Sequence, residues 1–164
     1  MFYFAPKILS FLLFLTAILL QREMSDSVLV TYLVVGVACI AAMVSVILLI
    51  TGRGSVSAGR SCVSIAIQAV LLIGIFAVAY SAHGLSGCEA SVDVNCRVPV
   101  PWDTALYFST VRWTTLGYGD FQPAADLLLL AAFQAVLGCG FLGLLVGIGA
   151  AAIFNRRKQN PPER

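Results

Sequence analysis

The sequence predicts an all-α membrane protein with three to four transmembrane helices and one re-entrant loop. Of its 164 residues, 60% are hydrophobic and only 11% are charged, and the mean hydropathy is +0.95. A soluble domain is about a quarter charged, so this composition excludes a soluble enzyme and indicates a lipid environment. Between the apolar runs lies a polar, glycine-rich stretch at residues 114–120, which we call the TTLGYGD loop.

Three apolar segments are long enough to cross a membrane, because a spanning helix needs roughly 20 predominantly apolar residues. They are residues 28–51, which carry no charge, residues 62–82 and residues 127–154. Apart from hydroxyl groups, the polar side chains within them are Gln68 and Gln134. We therefore expect three transmembrane helices at these positions.

A fourth apolar segment, about residues 1–20, has two interpretations. Its uncharged core, residues 8–20, is short for a span, since a helix of that length reaches only about 20 Å. The segment can form a retained helix with Lys7 at the membrane surface, or it can be the core of a signal peptide. As a retained helix, it joins residues 28–51 and the following linker in a peripheral region, residues 1–61.

The charges of the short connecting segments predict the topology, because cytoplasmic loops are enriched in Lys and Arg. Residues 52–61 carry two arginines and no acid, and the tail 155–164 carries four bases and one acid. Segments 21–27 and 83–101 hold more acids than bases and are expected outside. We expect a multi-pass plasma membrane protein with both termini in the cytoplasm. Residues 83–126 must then leave from the outer face and return to it.

A short helix is predicted at residues 103–113, where Asp103 can cap free N–H groups of the first turn. This helix is too short to span the membrane. Gly117 and Gly119 then permit positive φ and stop it from continuing. A short helix followed by irregular chain that returns to the same face is a re-entrant loop. Such backbone is tolerated at membrane depth only where it is buried in protein or lines a watery path.

The TTLGYGD loop can present a row of backbone carbonyl groups. Backbone that alternates between left- and right-handed conformations can turn successive carbonyls to one side, and Gly117 and Gly119 make this sterically accessible. With the Thr115 hydroxyl, these oxygens would form a lining suited to a bare monovalent cation. One chain supplies only one wall, so a complete ring requires several copies around an axis.

Residues 115–120, Thr-Leu-Gly-Tyr-Gly-Asp, resemble the selectivity filter of potassium channels, in which four TVGYG loops surround the ion. The resemblance extends over about 60 residues and includes residues 105–108, the pair Thr114–Thr115 and Pro123. It implies a homotetramer in the lipid bilayer that conducts K⁺, with no other cofactor and no catalysed reaction.

The resemblance also implies a role for each part of the chain. The pore domain, residues 62–154, would contain an outer helix at 62–82, an extracellular loop at 83–101, a pore helix at 103–113, the filter at 114–120 and an inner helix at 127–154. The ion-binding filter residues would be Thr115, Leu116, Gly117, Tyr118 and Gly119, with K⁺ at the first four. The residues that support the filter would be Thr114, Asp120, Tyr107, Val111 and Arg112.

Several positions depart from the family pattern. Leu116 replaces the usual valine, and its side chain is expected to face away from the ion. Tyr107 and Phe108 occupy positions where two tryptophans are frequent, and Phe108 cannot donate a hydrogen bond. Val111 replaces a glutamate that pairs with the filter aspartate in some members, so Asp120 must bind water or another donor. We expect a filter held by fewer hydrogen bonds.

Arg112 is a permanent cation near the end of the predicted pore helix, where it would raise the barrier to a cation. One interpretation is a charge that braces or regulates the filter. The other is an arginine that points away and pairs with an acid such as Asp120 or Asp126. We expect the ion pair.

The last apolar segment contains several glycines with two interpretations. Gly138 and Gly140 lie where the family often bends its inner helix, which suggests a gating hinge. Gly143 and Gly147 have the spacing of closely packed membrane helices. Packing alone, and packing combined with a hinge, both fit this pattern. Gln134 on the same helix either bonds between helices or faces the cavity.

Cys88 and Cys96 share the predicted extracellular loop, where oxidation can occur. A disulfide within the loop, free thiols and a bridge between subunits are all compatible with their spacing. Zinc is not expected, because the chain has a single histidine and no Cys-x-x-Cys pair. That histidine, His83, is expected to be solvated at the outer membrane edge.

These features favour a potassium-selective channel that conducts passively. The departures leave a weakly selective or non-conducting cation-channel homologue as the alternative. A membrane thiol-redox or adaptor protein using Cys88 and Cys96 is a remote alternative, because it gives the TTLGYGD loop no role. No nucleic-acid partner is expected, since the sequence predicts no basic face.

Overall fold

The computed structural model describes residue 15 and residues 27–51, 58–87 and 100–159. In chain order its elements are α1 Val28–Thr51, α2 Ala58–His83, β1 Leu85–Gly87, α3 Trp102–Trp113, β2 Phe121–Pro123, a 3₁₀ turn Ala125–Leu127 and α4 Leu128–Gln159. Of the segment 1–20, only Leu15 is described. Cys88 and Cys96, the linker 52–57 and residues 160–164 also lie outside the described residues.

Three described helices are long and apolar enough to cross a membrane. The qualifying stretches are Val28–Leu48, Gly59–His83 and Ala125–Phe154. Helix α3 has 12 residues and reaches only about 18 Å, so it cannot span. The predicted all-α membrane architecture is confirmed.

The helices extend further than hydrophobicity predicts. Helix α2 begins at Ala58 rather than at residue 62, and α4 continues to Gln159 rather than ending at residue 154. Helix α3 begins at Trp102, and Asp103 accepts a hydrogen bond from the Thr104 N–H group at 2.9 Å. Apolar runs mark only the part of a helix in lipid. The Arg, Lys and Gln residues after residue 154 are good helix formers, so the backbone hydrogen bonding continues.

Helix α2 lies at the centre of the described bundle and contacts α1, α3 and α4. Its side chains Ile65, Leu72, Phe76 and Tyr80 are buried. Helix α4, by contrast, exposes many large apolar side chains: Leu128, Leu129, Phe133, Val136, Leu142, Val146, Ile153 and Phe154. The single chain therefore buries much of the second half of α2 and leaves much of α4 available to lipid or to other chains.

The two strands form an antiparallel pair in which Leu85 lies opposite Pro123. Gly84, with φ 82°, ends α2, and its N–H group donates to the Tyr80 carbonyl at 2.9 Å; glycine is favoured where a helix ends in this left-handed conformation. The pair ties the end of α2 to the first residues after the TTLGYGD loop. We call this side of the bundle, where α2 ends and α4 begins, the sheet end. Strands of three residues are too short to show an alternating pattern, which explains why the sequence did not predict them.

Candidate functional site

Helix α3 ends in a Schellman motif that leads directly into the TTLGYGD loop. Thr114 is the C-cap, with φ −82° and ψ −2°. The Thr115 N–H group donates to the Arg112 carbonyl, and the Leu116 N–H group donates to the Val111 carbonyl, both at 3.1 Å. These are the two bonds that define the motif. Its left-handed position, usually glycine, is occupied here by Thr115.

The loop continues with left-handed residues at every second position. Thr115, Gly117 and Gly119 have φ values of 58°, 56° and 81°. Among the described residues, Thr115 is the single non-glycine residue with positive φ. This is the backbone alternation expected from the glycine spacing. A backbone of this kind can direct successive carbonyl groups to one side instead of to alternate sides.

Thr115 occupies a conformation that a β-branched residue rarely adopts, at a cost of about 1–3 kcal/mol. The Schellman motif holds the backbone there, and the Thr115 hydroxyl donates to the Thr114 carbonyl at 2.6 Å. The Thr114 hydroxyl instead bonds back into α3, at 2.9 Å from the Thr110 carbonyl. The two threonines therefore differ in role. Thr114 satisfies the helix end, whereas Thr115 places its hydroxyl within the loop.

The far end of the loop is attached to α3 through Asp120. The Tyr107 hydroxyl donates to Asp120 Oδ2 at 2.8 Å, and the Phe121 N–H group donates to Oδ1 at 3.1 Å. The hydrogen bond from Tyr107 to Asp120 raises the pKa of Tyr107 above its ordinary value, because it stabilises the protonated phenol. The donor that Asp120 requires in place of a glutamate at position 111 is therefore Tyr107. Val111 contributes a buried side chain and the carbonyl that accepts from Leu116.

Of the two ion pairs expected for Arg112, the one with Asp120 does not form, and the one with Asp126 stays a prediction. The Arg112 guanidinium lies over the Phe108 ring, 5.2 Å from its centroid, in a cation–π contact one helical turn away. The Phe108 ring also packs edge-to-face against Tyr80 on α2, with centroids 4.8 Å apart. Asp120 accepts a hydrogen bond from Tyr107 instead, and the Phe108 ring provides an aromatic face for the Arg112 cation. Arg112 is thus directed towards α2.

Comparison with known proteins identifies the family. A family model described as an ion channel matches residues 65–155, more than half of the 164 residues. The chain belongs to the ion channel family. The matched segment of the channel runs from within α2 into α4 and includes the TTLGYGD loop, while α1 precedes it. No curated protein and no solved structure matches the channel.

A buried polar network joins three helices of the channel. Gln134 on α4 is fully buried, and its Nε2 group donates to Ser109 Oγ at 2.8 Å and to the Ser109 carbonyl at 3.0 Å. Its Oε1 atom accepts from the Tyr80 hydroxyl at 2.8 Å. The Ser109 hydroxyl donates to the Ile73 carbonyl on α2 at 2.7 Å. Of the two interpretations of Gln134, the structure supports a bond between helices.

Gly138 lies one helical turn beyond Gln134 and packs against the end of α3. A Cβ atom at position 138 would overlap the Trp113 carbonyl oxygen and lie 2.9 Å from its carbonyl carbon. The Trp113 ring also packs against Phe141, with centroids 5.3 Å apart. At Gly140 a Cβ atom would meet nothing within 4 Å. Close packing therefore explains Gly138, and the hinge at Gly138 and Gly140 stays a prediction.

His83 is not the solvated interface residue that the sequence suggested. It is buried, with 6% of its surface exposed, and its Nε2 atom lies 2.7 Å from Thr31 Oγ1 on α1. On the same helix, the Tyr32 hydroxyl donates to the Asp126 carbonyl at 2.8 Å. The sequence offered no signal for these contacts, because nothing in it shows where α1 packs.

Replacing Gly138 by Ala should destabilise the channel by about 1–3 kcal/mol, because the added methyl group meets the backbone of Trp113 rather than a movable side chain. The measurement is denaturant or thermal unfolding in detergent. The matched control is Gly140→Ala on the same helix, which should change stability much less. Equal effects of the two substitutions would contradict the close contact.

A double-mutant cycle should show coupling between Tyr80 and Gln134. Gln134→Leu is expected to cost about 1–3 kcal/mol, because it leaves the Tyr80 and Ser109 groups buried without this partner. Tyr80→Phe should cost less in the Gln134→Leu background than in the wild type. The unfolding free energies of the four proteins provide the test, and strict additivity would rule out the network.

Proposed function

We propose that the protein is a potassium-selective channel that conducts K⁺ passively through a filter formed by four copies of the chain. In this proposal the carbonyl groups of Thr115, Leu116, Gly117 and Tyr118, together with the Thr115 hydroxyl, replace the hydration shell of the ion. Gly119 and Asp120 complete the loop. No reaction is catalysed, and the permeant ion is the only ligand.

The observation that carries this proposal is the left-handed alternation at Thr115, Gly117 and Gly119. Glycine accounts for two of these positions at little steric cost, but threonine at the third is unfavourable. A threonine held in a conformation that its side chain disfavours suggests that its hydroxyl is needed at the start of the loop. Strained backbone of this kind is often part of a functional site.

Four copies are proposed because one loop forms only one wall of a pore. Every residue from 114 to 120 is exposed in the single chain, including Leu116 at 58% and Tyr118 at 66%. The exposed apolar residues of α4 extend this surface along the bundle. A closed ring of four chains would cover both and enclose the loops around an axis.

The direction of Arg112 supports conduction over the non-conducting alternative. A guanidinium beside the ion path would repel cations, whereas here it lies over the Phe108 ring, which packs against Tyr80 on α2. The contact from Tyr107 to Asp120 also supports a loop that is held at both ends. We do not propose the thiol-redox function, because the chain belongs to the ion channel family.

We further propose that the channel lies in the plasma membrane with both termini in the cytoplasm. The support is the excess of Lys and Arg in the linker 52–61 and in the tail 155–164. The sheet end of the bundle would then face the outside. Labelling of single introduced cysteines from either side of sealed cells tests this orientation.

Gly117→Ala should reduce K⁺ flux by at least about tenfold, because alanine disfavours the positive φ of 56° although its methyl group meets no atom within 4 Å. The measurement is K⁺ and Na⁺ flux through the purified protein in liposomes. The control is Gly36→Ala on α1, which also has open space and lies in a helix. A wild type that conducts K⁺ and Na⁺ equally would favour the weakly selective alternative. Absence of any flux would refute the proposed conduction.

Tyr107→Phe should lower the K⁺/Na⁺ permeability ratio by roughly three- to tenfold, the effect expected when a single hydrogen bond is lost. The ring and its packing against Phe121 are retained, so the change isolates the bond to Asp120. Reversal potentials under mixed-ion conditions give the ratio. An unchanged ratio would mean that this bond does not support the conducting geometry.

A further inference from the structure

Helix α1 has one face against the bundle and one face exposed. The buried face uses mostly small or medium side chains, including Val35, Ala38, Ala42 and Val46. The opposite face exposes large apolar side chains: Leu29, Leu33, Val37, Ile40, Val44, Ile47 and Leu48. This division is typical of a helix at the periphery of a membrane protein, with lipid on its outer side. The family match, at residues 65–155, does not include it.

At the sheet end, however, α1 makes two polar side-chain contacts through adjacent residues. Thr31 Oγ1 and His83 Nε2 lie 2.7 Å apart, and both residues are buried, with 3% and 6% of their surface exposed. The Tyr32 hydroxyl donates to the Asp126 carbonyl at 2.8 Å. His83 lies 52 residues from Thr31 in the sequence, and Asp126 lies 94 residues from Tyr32. A helix that only filled space in lipid would not require two directed bonds.

The two partners flank the strand pair from opposite directions. His83 is the last residue of α2 and is separated from β1 by Gly84 alone. Asp126 lies in the 3₁₀ turn, which follows β2 after Ala124. Helix α1 therefore holds the element before β1 and the element after β2. Strand β2 begins at Phe121, directly after the last residue of the TTLGYGD loop.

The chain that leaves the loop is also attached through Asp120 and through β2. Asp120 bonds to Tyr107 and to the Phe121 N–H group, and β2 pairs with β1. Because Phe121 follows Asp120 directly, a shift of the strand pair relative to α3 would displace the end of the loop. The position of the strand pair is thus a determinant of the loop geometry.

We propose that the first turns of α1, at the sheet end, belong to the permeation machinery, and that Thr31 and Tyr32 are positioning residues that hold the strand pair and thereby the exit of the TTLGYGD loop. This inference rests on the proposed channel function for its consequence in ion selectivity. Its structural part, the fixing of residues 119–124 by α1, is independent of which ion permeates.

The first experiment measures backbone amide hydrogen exchange at residues 119–122 and 124, since Pro123 has no amide hydrogen, in the assembled wild type and in the variants Thr31→Val and Tyr32→Phe. Each variant removes a hydroxyl group while keeping similar side-chain volume. Exchange in this segment should accelerate at least about threefold, as expected when a local opening becomes easier. The matched control is Ser45→Ala, which removes a buried hydroxyl from the distant part of α1 and should leave this segment unchanged.

The second experiment measures the K⁺/Na⁺ permeability ratio of the same proteins in liposomes. The ratio should fall several-fold in Thr31→Val and in Tyr32→Phe. It should remain near the wild-type value in Ser45→Ala and in Thr31→Ser, because Thr31→Ser keeps the hydroxyl group. A purely structural role of α1 would instead lower the yield or stability of all variants without a change in the ratio.

The outcomes separate this inference from the proposed function. If the wild type has no K⁺ preference, the proposed function fails, and the exchange measurement alone decides whether α1 positions the loop exit. If neither Thr31→Val nor Tyr32→Phe accelerates exchange at residues 119–124, the inference is overturned whatever the channel conducts. It is also overturned if Ser45→Ala has the same effect as the two variants. Should Thr31→Val fail to fold, Tyr32→Phe decides the question in the same measurements.

Discussion

The Schellman motif at the end of α3 is the constraint on which the rest of the structure depends. Its two backbone bonds place Thr115 in the left-handed conformation and begin the alternation that Gly117 and Gly119 continue. A threonine would not hold this conformation in a free chain, because its side chain crowds the backbone. The loop is therefore only as well defined as the helix that ends beside it. The position of α3 controls the geometry of the site.

Helix α3 is fixed by contacts that leave it little freedom. On one side Gln134 bonds to Ser109, and one turn later Gly138 lets α4 approach the Trp113 carbonyl. On the other side, the Ser109 hydroxyl donates a hydrogen bond to the Ile73 carbonyl of α2, and Tyr80 of α2 packs against Phe108. A fully satisfied buried network of this kind favours one arrangement over alternatives, since any shift leaves polar groups unpaired. Helices α3 and α4 should therefore move together where they are in contact.

The departures from the potassium-channel pattern compensate one another. Tyr107 retains a donor where tryptophan is frequent, and this donor serves Asp120 in the absence of a glutamate at position 111. Phe108 has no hydrogen-bond donor, unlike the tryptophan that is frequent at this position, but its ring makes the cation–π contact with Arg112. Each departure considered alone removes a hydrogen-bonding group, whereas together these residues form two separate contacts. Outside the segment that matches the family, Tyr32 adds a third attachment near the strand that leaves the loop.

The sequence by itself determined the spanning segments, the short helix and the left-handed loop. These follow from local properties: apolar length, helix-ending residues and the φ freedom of glycine. Only the tertiary structure decided the partner of Asp120, the direction of Arg112, the bonds of Gln134 and the burial of His83. Some of these contacts join residues far apart in the chain, as with Tyr80 and Gln134. Others, such as that of Arg112 with Phe108, are between near neighbours, but several candidate partners are chemically equivalent until the helices pack. The choice among those partners is a property of the packing, and no local pattern decides it.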